Sequence, residues 1–303
     1  MIGPSRPLIV LFGSSIVQLS YFRNGWGATL ATCYARKADI FLRGYIGWNS
    51  RMALEIYKKV FPKEHCWDKH KEIQPSLVIL YFGGNDSQDS DFPNSSNVPL
   101  DEYVENMRKI ALHIKGLSEK THLIMLSAPA VNEELILKFY GDNRGRSNEV
   151  GRKYAEAGVK LGQELGVPVV NFFEALYEKP GVFWDGMHLT AEGSKILFEK
   201  IQKVIKEADW EPTLDWDKMP TEYADIGTDM HLEKLMKETT HIGTDMQLEK
   251  LMKDTEDETI GITDNIGTDM QLEKLMKDTE DETIGITDSD SQEPKPHEII
   301  LDA

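Results

Sequence analysis

The chain has 303 residues, 40% of them hydrophobic, and carries 51 acidic against 34 basic side chains for a net charge of -17. The charge is concentrated: residues 221–303 hold 23 acids and 7 bases, which leaves 28 acids against 27 bases for residues 1–220. An almost neutral body of this length can bury one large core, and it shows no basic patch for nucleic acid. No apolar stretch reaches the ~18 residues that a membrane span needs. The apolar run at Leu8 is five residues long and reads as a core strand rather than a signal peptide, so a cytoplasmic location is expected. Cys33 and Cys66 stand outside any C-x-x-C spacing, which argues against a disulfide scaffold; no metal and no cofactor are expected.

The first element is Leu8-Ile9-Val10-Leu11-Phe12, closed by Gly13, the pattern of a strand buried on both faces of a parallel sheet. Gly13 permits a sharp turn, and Ser14-Ser15-Ile16 opens a short helix that runs past Val17. Serines here either cap that helix or stand beyond the carboxyl end of a strand, where open α/β sheets bind ligands. Tyr21 to Gly27 reads as a loop, Ala28 to Ala35 as a helix, and Ala38 to Leu42 as a second strand closed by Arg43-Gly44-Tyr45-Ile46-Gly47-Trp48-Asn49-Ser50. Asn49 or Ser50 can cap the next helix, where Met52, Ile56, Tyr57 and Val60 recur at helical spacing until Pro62. Leu77 to Phe82 is the third strand, closed by Gly83-Gly84-Asn85-Asp86. A polar loop from Ser87 to Asn97 leads to an amphipathic helix over about Pro99 to Ser118. A fourth strand (Thr121 to Leu126), a helix over 147–165, a fifth strand (Val167 to Phe172) and a last helix from Thr190 to about Asp209 complete the body.

Apolar strands alternating with helices predict an α/β three-layer sandwich with a mostly parallel five-stranded sheet in the flavodoxin-like order 2-1-3-4-5. That order brings the loops bearing Gly47, Ser15 and Asn85 to one end of the sheet. Acyl transfer by a serine needs a base within reach, an acid to orient the base, and donors aimed at the developing oxyanion. His188 lies just before the last helix, and Asp185, three residues earlier, can reach one imidazole nitrogen while the other faces Ser15. The Ser15 and Gly47 amides and the Asn85 side chain are the candidate oxyanion donors. Singly, each has a plainer explanation: Asp185 and His188 as a cap and a surface histidine, Asn85-Asp86 as a turn. Together, at three strand ends, they favour a site. Trp48 and Trp184 read as core or rim aromatics.

In order and spacing, Gly13-Ser14-Ser15-Ile16, the Gly47 loop, Gly83-Gly84-Asn85-Asp86 and Asp185-Gly186-Met187-His188 resemble the four sequence blocks of the SGNH or GDSL hydrolases. The likeness is greatest to the branch of isoamyl acetate-hydrolysing esterases and short plant GDSL esterases, and it covers about residues 5–222. The resemblance implies the SGNH-hydrolase fold and a serine ester hydrolase of lipid degradation for short, acetate-type acyl groups on a small-molecule ester. Carried over, Ser15 is the nucleophile, His188 the general base and then acid, and Asp185 its orienting partner. The Gly47 N–H, Asn85 Nδ2 and Ser15 N–H form the oxyanion hole. Ser14 stands where most members have Asp, a position outside the triad. Acyl transfer to another alcohol would use the same residues; a non-catalytic binding module with a decayed site is the rival from a different class.

Beyond residue 222 the chain repeats itself. Ile242 to Asn265 and Ile266 to Ser289 are 24-residue copies that differ only at their last position, and Ile226 to His241 is a shorter, diverged copy. Each carries about ten residues with a narrow apolar stripe such as Leu248, Leu251 and Met252, too short for a stable isolated helix. Residues 223–303 are therefore expected to be a flexible acidic tail, with the stripe open to a protein partner's groove.

Overall fold

Apart from Leu8, every residue of Leu8–Gly13 is buried, and this segment, β1, is an interior strand of the sheet. The computed structural model describes residues 6–63 and 74–224; Cys66 and the repeat tail, with the flexibility expected of it, lie outside the described residues. β1 pairs in parallel with β2 (Asp39–Gly44) on one side and β3 (Leu77–Tyr81) on the other, so that Leu11 stands between Leu42 and Ile79. β4 (His122–Leu126) and β5 (Val169–Val170) extend the sheet, again in parallel. The order is 2-1-3-4-5, as the alternation of strands and helices predicts.

The strand period of two sorts the apolar residues onto two faces. Ile9, Leu11, Ile79 and Ile124 bury one face against Trp26 and Leu30 of α2 (Trp26–Cys33) and Leu197 and Ile201 of α8 (Ala191–Glu207). Val10, Phe12, Val78, Leu80 and Met125 bury the other face. They pack against Ala53 of α3 (Ser50–Val60), Tyr103 and Met107 of α4 (Leu100–Lys115) and Leu161 of α6 (Asn148–Leu165). Among the described residues no helix is long and apolar enough to cross a membrane.

Polar side chains start the helices where the sequence places caps. Asn49 accepts from the Met52 amide at 3.0 Å, and Thr190 accepts from the Gly193 amide at 3.2 Å. Three elements depart from expectation. α2 begins at Trp26, inside the predicted loop, because the Gly25 carbonyl already accepts the Thr29 amide at 3.1 Å. β5 is two residues long, because Asn171 leaves the ladder to cap α7 (Phe172–Leu176) and the Ser127 hydroxyl takes the Phe172 amide at 2.9 Å. α5 (Glu133–Tyr140) fills a stretch for which no element was expected; Asn132 caps it and Gly141, at φ 81°, ends it. After α8 the chain returns across α2: the Tyr34 hydroxyl donates to the Leu214 carbonyl at 2.6 Å, and Arg6 grips Glu222 at 2.7 Å.

The turn from β1 into α1 (Ser15–Gln18) depends on a missing side chain. A Cβ on Gly13 would strike the Tyr81 carbonyl oxygen and stand 2.6 Å from Val17 Cγ2, against a β3 backbone fixed by its ladder. Gly13→Ala should therefore lower stability by about 1–3 kcal/mol, seen as a lower urea midpoint with unchanged slope. An unchanged midpoint would contradict the close approach.

Candidate active site

Ser15 is the first residue of α1, two residues past the end of β1. Ser14 occupies the capping position, but its carbonyl rather than its hydroxyl serves there, accepting the Val17 and Gln18 amides at 3.1 and 2.9 Å. The Ser14 side chain is buried instead against the Tyr81 phenol. His188 reaches the same place from the turn before α8: its Nε2 lies 3.0 Å from Ser15 Oγ, and its Nδ1 lies 2.6 Å from Asp185 Oδ2.

Asp185 is fully buried, yet it holds its charge. Burial alone would raise its pKa. Hydrogen bonds from the His188 ring, the Tyr140 hydroxyl (2.7 Å) and the His188 amide (2.7 Å) outweigh burial and hold the carboxyl at about 2. An ionised carboxylate only accepts, so the proton of a neutral His188 sits on Nδ1 and the Nε2 lone pair faces the Ser15 hydroxyl.

Gly47 and Asn85 join Ser15 and His188 around one cavity of about 180 Å³, with Pro129, Val131 and Met187 also in its walls. Gly47 has φ 78° and nothing within 4 Å of a built Cβ, so the requirement for glycine comes from the backbone, in the turn closed by the Trp48 amide on the Tyr45 carbonyl. Asn85 is oriented by a residue the sequence reading did not reach. Arg146 donates to the Gly84 carbonyl and, at 2.8 Å, to Asn85 Oδ1. A guanidinium has no acceptor, so it can face only the amide oxygen. This turns Asn85 Nδ2 to the Trp48 carbonyl at 2.8 Å and leaves its second N–H beside the cavity. The Nε of Arg146 is buried with no partner among the described residues.

Asp86 ties two of these loops together. Its Oδ1 accepts the Ser50 amide at 2.9 Å and its Oδ2 the Gly83 amide at 3.0 Å. Burial pushes its carboxyl up to about 6, against the pull of the Ser50 side-chain and backbone hydrogen bonds. Every site residue expected from the sequence therefore borders one space or is bonded to a residue that does; the additions are Tyr140, Arg146 and the structural role of Asp86. Asp86 was visible inside its motif. Arg146 follows a polar loop without periodicity, and Tyr140 ends a helix that no strong pattern announces.

The family model described as GDSL-like Lipase/Acylhydrolase matches residues 9–201. GDSL esterase/lipase WDL1 of Oryza sativa subsp. japonica is 51% identical over 231 residues, 74% of this chain and 86% of that protein. The isoamyl acetate-hydrolyzing esterase 1 homolog of Homo sapiens is 30% identical over 210 residues, 66% of this chain and 82% of that protein. The crystal structure of a lipase/acylhydrolase from Enterococcus faecalis shares the fold at a TM-score of 0.50, with 18% identity, over 67% of this chain and 96% of that one.

The two buried carboxyls act on stability with opposite signs. Folded Asp86 keeps its proton to about pH 6, whereas an unfolded Asp loses it near 3.8, so this group weakens the fold as pH rises from 3.8 to about 6. Folded Asp185 stays charged down to about 2, so its contribution is complete above 3.8 and is lost as pH falls towards 2. Asp86→Asn should flatten the unfolding free energy across the upper window. Asp185→Asn should remove a fall of about 2 kcal/mol across the lower one. Urea titrations at stepped pH read both slopes, and a wild-type slope retained in either variant would refute that assignment.

Proposed function

Because the chain belongs to the GDSL-like lipase/acylhydrolase family, we propose that Ser15, His188 and Asp185 are its catalytic triad and that it cleaves esters of short, acetate-type acyl groups. Membership makes it a carboxylic ester hydrolase. The observation that carries the triad is the unbroken run Ser15 Oγ, His188 Nε2, His188 Nδ1, Asp185 Oδ2, with steps of 3.0 and 2.6 Å across the ring.

The Ser15 oxygen bonds to the acyl carbon as its proton moves to His188 Nε2. The carbonyl oxygen takes the negative charge and is met by the Ser15 and Gly47 amides and by the free N–H of Asn85 Nδ2. Collapse breaks the bond from the acyl carbon to the alcohol oxygen, which receives the proton from His188. Water then repeats the sequence on the acyl-enzyme: its proton goes to His188, the acid leaves, and Ser15 regains its hydrogen. Asp185 stays charged throughout and steadies the imidazolium, with Tyr140 sharing the same carboxylate oxygen.

Two observations support a small acyl group. The cavity beside Ser15 is about 180 Å³, the volume of on the order of six liquid waters, and one relative is named for hydrolysis of an acetate ester. Ser14 leaves the site intact, since the side chain it replaces lies outside the triad. We keep residues 1–222 as the hydrolase domain and 223–303 as an acidic tail for a protein partner.

Ser15→Ala should abolish hydrolysis across p-nitrophenyl esters from acetate to octanoate, while Ser14→Ala retains most of it and the rate falls with chain length. Activity that survives Ser15→Ala would overturn the assignment. Arg146→Met should lower kcat about tenfold with little change in KM, as expected for loss of aim in one oxyanion donor worth about a hundredfold or more. In an Asn85→Ala background the same change should have almost no further effect; additive losses would show that Arg146 acts elsewhere.

A further inference from the structure

The triad proposed above fixes where each half of the ester must lie. The proton that His188 Nε2 takes from Ser15 has to reach the alcohol oxygen, so that oxygen sits within hydrogen-bond distance of Nε2. The oxyanion points to Gly47 and Asn85. The acyl group therefore occupies the small cavity, and the alcohol leaves past His188.

What lies beyond His188 is aromatic. The Trp184 ring stacks on the imidazole with centroids 5.5 Å apart and planes 23° from parallel. Beneath the rings lies only a narrow enclosed crevice of about 10 Å³, bordered by Ile16, Phe22, Trp26, Trp184 and His188, so anything bound here rests on the aromatic surface. Phe139 sets its edge against Trp184 at 5.8 Å, and the Arg23 guanidinium bridges Phe22 and Trp184, 4.9 and 5.7 Å from their ring centres. Phe22 is 53% exposed and Phe139 54%, so neither ring is held by the core. The turn that presents Phe22 is also strained: Arg23 and Asn24, neither a glycine, both hold left-handed backbone at φ 49° and 55°. Exposed aromatics joined into a patch beside a reacting group are the mark of a binding surface.

We propose that Phe22, Trp184 and Phe139 form a shelf for the alcohol half of the substrate, and that the ester joins a small acyl group to a bulky apolar or aromatic alcohol. The inference rests on the triad reading. In the reaction, water supplies its hydroxyl to the acyl carbon and its hydrogen to the departing alcohol, so no co-reactant is required.

Two isomeric esters test it: 2-phenylethyl acetate carries its ring on the alcohol side, and ethyl phenylacetate carries it on the acyl side. Both release primary alcohols, which limits differences in leaving-group chemistry. With the full chain, kcat/KM for 2-phenylethyl acetate should exceed that for ethyl phenylacetate about tenfold. Phe22→Ala and Phe139→Ala, both at exposed positions, should shrink this ratio about threefold or more, through KM. Equal use of the isomers, preference for ethyl phenylacetate, or a ratio unmoved in both variants would overturn the shelf, provided Ser15 reacts with a fluorophosphonate. No hydrolysis of either isomer or of ethyl acetate above Ser15→Ala, with no such labelling, would overturn the triad and the shelf with it.

Discussion

A single buried carboxylate sets the spacing of the loops on which the site is built. Asp86 takes one amide from the start of α3 and another from the end of β3, so the loops that carry Gly47 and Asn85 share one anchor. Each of those amides would cost about 1–3 kcal/mol if buried without an acceptor. The Asp86 carbonyl extends the tie by accepting the Val98 amide at 3.1 Å and the Asn97 side chain at 2.9 Å, just ahead of α4. Arg146 completes the frame from the other side by donating to Gly84 and Asn85. Cation and carboxylate thus grip the same four-residue turn through different atoms.

This arrangement gives Ser14 a physical setting. Tyr81, Asp86 and Arg146 lie close enough to feel one another's charge, and the Ser14 hydroxyl rests on the Tyr81 phenol. With a neutral residue at 14, Asp86 is the acid of this buried cluster, and its raised pKa shows how little solvation remains for charge there. Asp185 has the opposite fate because the bonds from the His188 ring, the Tyr140 hydroxyl and the His188 amide together outweigh burial there. Both carboxyls are buried and hydrogen-bonded; at Asp86 burial is the larger effect, and at Asp185 the hydrogen bonds are.

Much of the fold was legible because the apolar runs of β1 and β3 each end at a glycine, and an interior strand of a parallel sheet is buried on both faces. Leu8 to Phe12 and Leu77 to Phe82 needed no tertiary information. The weak points were places where a side chain from elsewhere decided the backbone. Ser127 starts α7 and thereby cuts β5 to two residues. Asn132 and Gly141 bracket α5, a cap and terminator that could have been read, but Leu137 and Phe139 face solvent and blur the helical pattern. In the site, Ser15, Asp185, His188, Gly47 and Asn85 were legible because each stands in a short motif at a strand or helix end. Arg146 and Tyr140 were not: they lie 61 and 45 residues from the groups they hold, and only the fold brings them there.

The short β5 has a further consequence at the margins of the sheet. An open strand edge offers unpaired amides and carbonyls to any other chain that can extend alongside it. Here one margin is a two-residue strand that turns at once into a capped helix. The opposite margin, β2, alternates exposed and half-buried residues and carries Asp39 and Arg43, while the Glu222 amide takes the Arg36 carbonyl just before it. Neither side presents a long apolar ribbon. The same brevity that made β5 hard to place from sequence leaves the sheet little backbone on which a foreign strand could grow.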